Sequence, residues 1–472
     1  MKKNTLLLGL ALIIFACQRD HDDFRFPDTH SNQVKYLENL KMPDIEIFAN
    51  NLMQEAGWNA EQPISSQFER RKSPSSTWLE SNARSIIDEE NNIAHYIFKI
   101  RVGPGKYDMI NLHRVVKERS RNFPKQSKNT LFLQHGDFKD FEGMFLPGVK
   151  SPRLDDSEGI ANFLAKNDVD VWGIDQAWTL IPEEETDFTF MKDWGMQRQV
   201  QDLKKAMTLV RVIRFLSGNG LTPLNLLGYS SGSTVGFALL NEETSITENN
   251  HNVAGYIGVD QGVHTDNSIW ENITCDLSAG YQALLDAGQY QDYNPLPFFG
   301  SAAQSDPEGA SELIPGFSNL QAAQALAIYP LFEPYPGHFL AGIFDSNSLP
   351  TGLQNVSTED WLDFLIYSPP YEPVAFERDE YMTSCPSAVD VSWDDNLSQV
   401  QNPILYIVAG GGFGSTGTET LNQLGSADIT TLEISLYPKA DVALDFGHID
   451  LFLANNADEQ VWKPILSWIL AH

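Results

Sequence analysis

The chain is poor in positive charge, in cysteine and in long apolar runs, and each shortage excludes something. Lysine and arginine number 32 against 63 aspartates and glutamates, a net charge of −31. A surface so acidic repels phosphate backbones and anionic headgroups, so nucleic acid and a bare lipid surface are excluded as partners. The longest apolar stretch, Thr5 to Phe15, is too short to span a bilayer. No internal repeat is visible, and no His/Cys/Asp cluster has the spacing of metal ligands, so neither a metal nor an organic cofactor is expected. With 42% hydrophobic and 20% charged residues among 472, the composition is that of a globular protein with room for one domain and insertions.

The first sixteen residues read as a targeting segment. Lys2 and Lys3 precede the apolar stretch, which ends at Ile14-Phe15-Ala16-Cys17. That ending resembles the lipobox of bacterial lipoproteins, which implies lipidation at Cys17 and removal of residues 1–16. The following Asp20, Asp22 and Asp23 resemble the acidic surface-export tag of Bacteroidetes lipoproteins, although a solvated acidic tether reads the same. The expected location is outside the cytoplasm, anchored to the outer membrane by lipid alone and exposed at the cell surface. Beyond Cys17 only Cys275 and Cys385 remain, and spacing alone leaves open whether they form a bridge or are two buried thiols.

Residues 17–90 carry weak signals and read as a tether and extension. From 91 onward, "IAHYIFKIRV" and "YDMINLHRVV" flank Gly103-Pro104-Gly105 as a hairpin. "TLFLQHGD", "VDVWGID", "LNLLGY" and "VAGYIGVD" read as short apolar strands. Between them, Met196, Val200, Leu203, Met207, Val210 and Ile213 recur at helical spacing. The alternation predicts an α/β chain with a mostly parallel sheet flanked by helices. It stops over 263–402, an aromatic- and proline-rich stretch read as a cap, and resumes over 403–472 with "PILYIVAGGG", "LEISLYP" and a final helix.

The chemistry concentrates at Gly228-Tyr229-Ser230-Ser231-Gly232. A strand running into Gly-x-Ser-x-Gly and then a helix lifts the serine above the sheet, because the glycines allow a turn that side chains would block. Ser230 is the candidate nucleophile. A serine needs a base, and His448 lies in a loop after the last strand, where it can reach across. Asp450 reads as a cap of the following turn. The amides of Asp137 and Ser231 are the candidate oxyanion donors, with His135 a loop-holding residue.

In this order, "LFLQHGD", "VDVWGID", "LNLLGYSSGST" and "FGHIDLF" resemble the α/β-hydrolase superfamily, most closely its acid-lipase-like branch. The resemblance covers roughly 93–262 and 403–472 and implies a Ser-acid-His hydrolase core over 91–262 and 403–472. That branch carries its acid just after the strand matching "PILYIVAG", where this chain reads Gly410-Gly411-Gly412-Phe413-Gly414 without a carboxylate. Asp260, at the end of "AGYIGVD", is therefore the favoured acid. It keeps the chain order serine, acid, histidine, and a short strand-end side chain is held rigidly. Glu419 is the reserve and Asp428 the third candidate. In the cap, Tyr293, Phe298, Phe299, Trp361, Phe364 and Tyr367 either line an acyl pocket or form the insert's own core. The expected function is hydrolysis of carboxylic esters on a small-molecule or acylated substrate. A peptidase or amidase, an acyltransferase and a non-catalytic surface binding protein are the alternatives. Acyl-chain length and oligomeric state are not legible.

Overall fold

The computed structural model describes residues 79–347 and 349–472; the segment 1–16, Cys17 and most of the 17–90 extension lie outside it. A ten-stranded sheet forms its middle. The strands are β1 (Leu79–Asp88), β2 (Ile93–Arg101), β3 (Met109–Ser120), β4 (Phe123–Pro124), β5 (Thr130–Gln134), β6 (Asp170–Asp175), β7 (Leu224–Tyr229), β8 (Val253–Val259), β9 (Ile404–Ala409) and β10 (Ile429–Ile434). Their spatial order is β1-β2-β3-β6-β5-β7-β8-β9-β10, with β4 on β3. From β6 to β10 all neighbours are parallel, whereas β1 to β3 form an antiparallel meander whose last strand meets β6 antiparallel.

Composition explains which strands sit where. "TLFLQ" and "LNLLGY" are buried at every position, as required of central parallel strands covered by helices on both faces. The β2–β3 hairpin pairs Ile93 with Lys117 and Arg101 with Met109 around the Gly-Pro-Gly loop. The strand β1, "LESNARSIID", begins inside the stretch read from sequence as an extension. It is an edge strand with only its last two residues buried, so it lacks an apolar signature. The helix Met196–Leu216 buries the whole predicted face from Met196 to Ile213. It also buries Arg214, which joins Arg114 on the carboxylate of Asp170, a charge cluster compensated on both sides.

Between β8 and β9 the chain builds the helices Ser268–Asp286, Leu296–Ser305, Asn319–Ile328, Thr358–Ile366 and Val374–Thr383, with two small antiparallel strand pairs. Trp361 is fully buried and donates to Ala323 O at 2.8 Å, and it belongs to the same buried cluster as residues of the sheet such as Leu133 and Tyr229, so the insert shares its core with the sheet. Cys275 and Cys385 are bonded, closing a loop of 110 positions and fastening the helix Ser268–Asp286 to the end of the helix Val374–Thr383. No helix among the described residues is long and apolar enough to cross a membrane. A cross-link over a loop this long restricts the unfolded chain strongly. Replacing both cysteines by serine is expected to lower unfolding free energy by about 2–4 kcal/mol, read by urea denaturation.

Candidate active site

Ser230 sits between the end of β7 and the helix Ser231–Glu243, with φ 57° and ψ −132°. A non-glycine residue with positive φ is strained, and the surroundings enforce it. A Cβ on Gly228 would overlap the carbonyl of Gly232, and one on Gly232 the carbonyl of His135. Strand, turn and the 134–136 loop are thus packed backbone to backbone. His135 holds that loop: its Nδ1 bonds Gly136 O at 2.9 Å and its Nε2 accepts from Gln176 N at 3.1 Å. This is the structural part expected of it.

His448 lies in the loop after β10, just before the short helix Asp450–Leu453. Its Nδ1 is 2.7 Å from Asp260 Oδ2, and both residues are buried. The ring stacks on Tyr229, with centroids 4.6 Å apart, and meets Phe413 edge-on at 5.2 Å. Its backbone is fixed as well: His448 N donates to His338 O at 3.0 Å and Tyr229 Oη donates to His448 O at 3.2 Å. An imidazole with Nδ1–H on a carboxylate leaves Nε2 free to accept a proton. Ser230 and His448 line one cavity of about 230 Å³ together with Asp137, Tyr229, Gln261, Trp270 and further aromatic residues. Ser230 Oγ and His448 make no hydrogen bond in this conformation; such contacts commonly tighten only around substrate.

The glycine loop that lacks a carboxylate has another use. Asp260 also has positive φ, at 56°, and its side chain accepts N–H groups from Ala409 at 2.7 Å and from Phe413 and Gly414 at 2.9 Å each. A Cβ on Gly412 or Gly414 would overlap the carboxylate. The Gly410–Gly414 loop is a cradle for an acid delivered by the neighbouring strand. Glu419 and Asp428 are not brought to His448. The Glu419 carboxylate accepts from Asn422 Nδ2 at 2.7 Å, and Asp428 pairs with His472 at 3.4 Å.

Of the expected oxyanion donors, Ser231 N is the first amide of its helix and Asp137 N follows the turn at Gly136. Neither donates to an acceptor among the described residues. Asp450 corrects its reading from sequence. Its carboxylate accepts from Gly447 N at 2.8 Å and Ala341 N at 2.7 Å, so it ties the histidine loop to the insert instead of capping the next turn. Among the six cap aromatics only Phe364 lines the cavity. Trp361 is in the core that the insert shares with the sheet, Phe299 packs on that core's edge, and Tyr293, Phe298 and Tyr367 are exposed. The wall is formed instead by Trp270, Tyr281, Phe332, Phe339, Tyr381 and Phe413. Sequence reasoning also missed Glu377, another lining residue, and its neighbours Glu372 and Glu380.

Two groups of side chains have metal-ligand types close together among the described residues: His95, His113 and Glu142, and Asp137, Glu372 and Glu377. In the first, three of the four ring nitrogens are hydrogen-bonded within the chain. His95 Nε2 bonds His113 Nδ1 at 2.9 Å, and His113 Nε2 bonds Asp175 Oδ2 at 2.9 Å. The second borders the cavity.

With sheet order, nucleophile turn and histidine loop in place, comparison with solved structures is decisive for the architecture. A candidate lipase of Sulfolobus solfataricus superposes with TM-score 0.58 over 80% of this chain and 95% of its own, at 18% identity. The chain has the α/β-hydrolase fold. A cold-adapted esterase from an Arctic intertidal metagenomic library (TM-score 0.38, 11% identity, 84% and 98% covered) and an epoxide hydrolase mutant of Vigna radiata (TM-score 0.41, 11% identity, 80% and 99% covered) also match. At these identities the likeness concerns the fold alone. No family model and no curated protein matches the sequence.

Two tests follow from this geometry. Gly412→Ala pushes a methyl group into Asp260, and a displacement of about 1 Å in such a site costs about 100-fold in rate. Any turnover of a chromogenic substrate that depends on Asp260 should fall by that order while the far-ultraviolet circular dichroism is kept. The second concerns pH. Burial raises the Asp450 carboxyl to about 7, against backbone bonds that lower it. A raised carboxyl favours the folded state fully below its unfolded value near 3.8 and loses that contribution as pH climbs through about 7. Thermal melts should therefore show Tm falling more between pH 5 and 8 in the wild type than in Asp450→Asn.

Proposed function

We propose that the protein is a serine hydrolase that cleaves carboxylic esters through Ser230, His448 and Asp260. The reading rests on one observation above all: the imidazole of His448 is held at 2.7 Å on Asp260 while facing the cavity that Ser230 also lines. In acylation, Ser230 Oγ attacks the carbonyl carbon and its proton passes to His448 Nε2. Negative charge grows on the carbonyl oxygen, which the amides of Asp137 and Ser231 stabilise. The imidazolium formed is stabilised by Asp260, which keeps Nδ1–H directed at itself. Collapse breaks the bond to the alcohol oxygen, which leaves with the proton from Nε2. Water then gives a proton to His448 and attacks the acyl-enzyme. The bond to Ser230 breaks, its oxygen regains the proton, and the acid is released.

The cavity gives this chemistry a mostly aromatic and aliphatic wall, which suits the hydrocarbon part of an ester. The proposal includes the location expected from sequence: lipidation at Cys17, export, and attachment to the outer membrane through the lipid alone.

A fluorophosphonate probe is expected to label the wild type and not Ser230→Ala. Asp260→Asn should lower kcat for a p-nitrophenyl ester on the order of 10⁴-fold, and Glu419→Gln should leave it near wild type. Absence of labelling in the wild type would favour a binding protein on a hydrolase scaffold. Collapse of activity in Glu419→Gln with Asp260→Asn unaffected would remove the assigned acid.

A further inference from the structure

The reacting groups leave one part of the cavity unused. Where the insert meets the loop after β5, four carboxyl side chains converge: Asp137, Glu372, Glu377 and Glu380. Glu372, Glu377 and Glu380 are at most 4% exposed. Glu377 borders the same cavity as Ser230 and His448, as does Asp137. Donor oxygens of Asp137, Glu372 and Glu377 lie within 4.8 Å of one another. Asp292 stands opposite Glu372 on the paired strand and adds a fifth acid nearby.

A buried carboxylate is normally compensated by a cation or by hydrogen bonds to all its lone pairs. Here the compensation is incomplete. Glu372 Oε2 accepts from Phe138 N at 3.0 Å, and Glu380 Oε1 accepts from Gln261 Nε2. Asp137 Oδ1, Glu372 Oε1, Glu377 Oε1 and Glu380 Oε2 are all buried without a hydrogen-bond partner. Among the described residues, none of the four acids is in an ion pair. Lys139 also lines the cavity, but its ammonium group is turned onto Phe364 O, Ser368 Oγ and the Phe364 ring. Burial first, and then the neighbouring charge of Asp137, hold Glu372, Glu377 and Glu380 well above the usual carboxyl range. Acid is thus concentrated beside Ser230, and among the described residues no lysine or arginine pairs with it.

From this acid cluster, of which Asp137 and Glu377 line the cavity, we infer that the site recognises a substrate carrying an organic ammonium group, which docks against Glu377 and Asp137, with Glu372 behind them, while its ester reaches Ser230. The inference rests on the hydrolase reading above for the chemistry, but not for the binding. The rest of the wall selects ammonium over a metal ion. Tyr281, Tyr381, Trp270 and Phe332 line the same cavity, and Tyr281 stacks on Tyr381 at 5.9 Å. Aromatic faces attract an alkylammonium ion and tolerate its methylenes. A calcium or magnesium ion instead requires six or more oxygen ligands or retained waters. Glu372 links the subsite to the reacting centre, because its other oxygen holds the amide of Phe138, next to the proposed oxyanion donor Asp137.

Three measurements at pH 8 decide the matter. Calorimetry on Ser230→Ala should show hexylammonium chloride binding at least tenfold more tightly than hexan-1-ol. In hydrolysis by the wild type, kcat/KM for an ammonium ester should exceed that of its neutral isostere at least tenfold. Ethyl 6-aminohexanoate against ethyl heptanoate places the charge on the acyl side, and butyrylcholine against 3,3-dimethylbutyl butyrate places it on the alcohol side. The pair showing the preference identifies the side, and in Glu377→Gln its ratio should fall toward one. Ammonium binding without hydrolysis of any ester would retain the cation site and remove the hydrolase reading. Hydrolysis of the neutral esters with equal binding of hexylammonium and hexanol would remove the cation site and retain the hydrolase. Tight binding of calcium or magnesium chloride that displaces hexylammonium would overturn the assignment of the occupant.

Discussion

The bond between Asp260 and His448 is the constraint around which the rest is arranged. A carboxylate with no exposure is a costly object, and it persists only because three backbone amides and an imidazole converge on it. Those amides come from the end of β9 and from the glycine loop beyond it, so one side chain locks two parallel strands together at the rim of the sheet. Removal of the carboxylate would leave three donors pointing at nothing and a histidine with no fixed orientation.

The neighbouring parts follow from that anchor. His448 is packed against Tyr229 and Phe413, so the residue before Ser230 and a residue of the cradle both position its ring. Ser230 and Asp260 occupy strained backbone at the ends of adjacent strands β7 and β8. Strain of this kind survives where packing on every side allows no relaxation. Asp450 extends the same logic outward, binding the histidine loop to the insert through Ala341. The insert is therefore tied to the candidate site mechanically as well as by roofing the cavity.

What the amino-acid sequence discloses divides along physical lines. Central strands such as "LNLLGY" are legible because burial on both faces demands uninterrupted apolar residues. The edge strand Leu79–Asp88 is not, since one that faces water needs no such run. Asp260 could be chosen from chain order, because strand ends are the places that present side chains rigidly. Its cradle could not, since backbone amides at Ala409, Phe413 and Gly414 have no side-chain signature; three glycines in a row were the only hint. The acidic cluster is the least legible feature. Asp137 and Glu372 are far apart along the chain, and the three- and four-residue spacing of Glu377, Glu380 and Tyr381 in one helix points to a shared face but not to what it meets. The disulfide was undecidable from two cysteines and is decided by where the insert brings them.

The most direct examination of the central claim is a crystal structure of the protein after reaction with an alkyl phosphonate. The account predicts a covalent bond from phosphorus to Ser230 Oγ and a phosphoryl oxygen accepting from the amides of Asp137 and Ser231. It also predicts His448 Nε2 turned toward the adduct, with Nδ1 still on Asp260. An adduct on a different residue, or a His448 ring directed away from Ser230 with its bond to Asp260 broken, would contradict it.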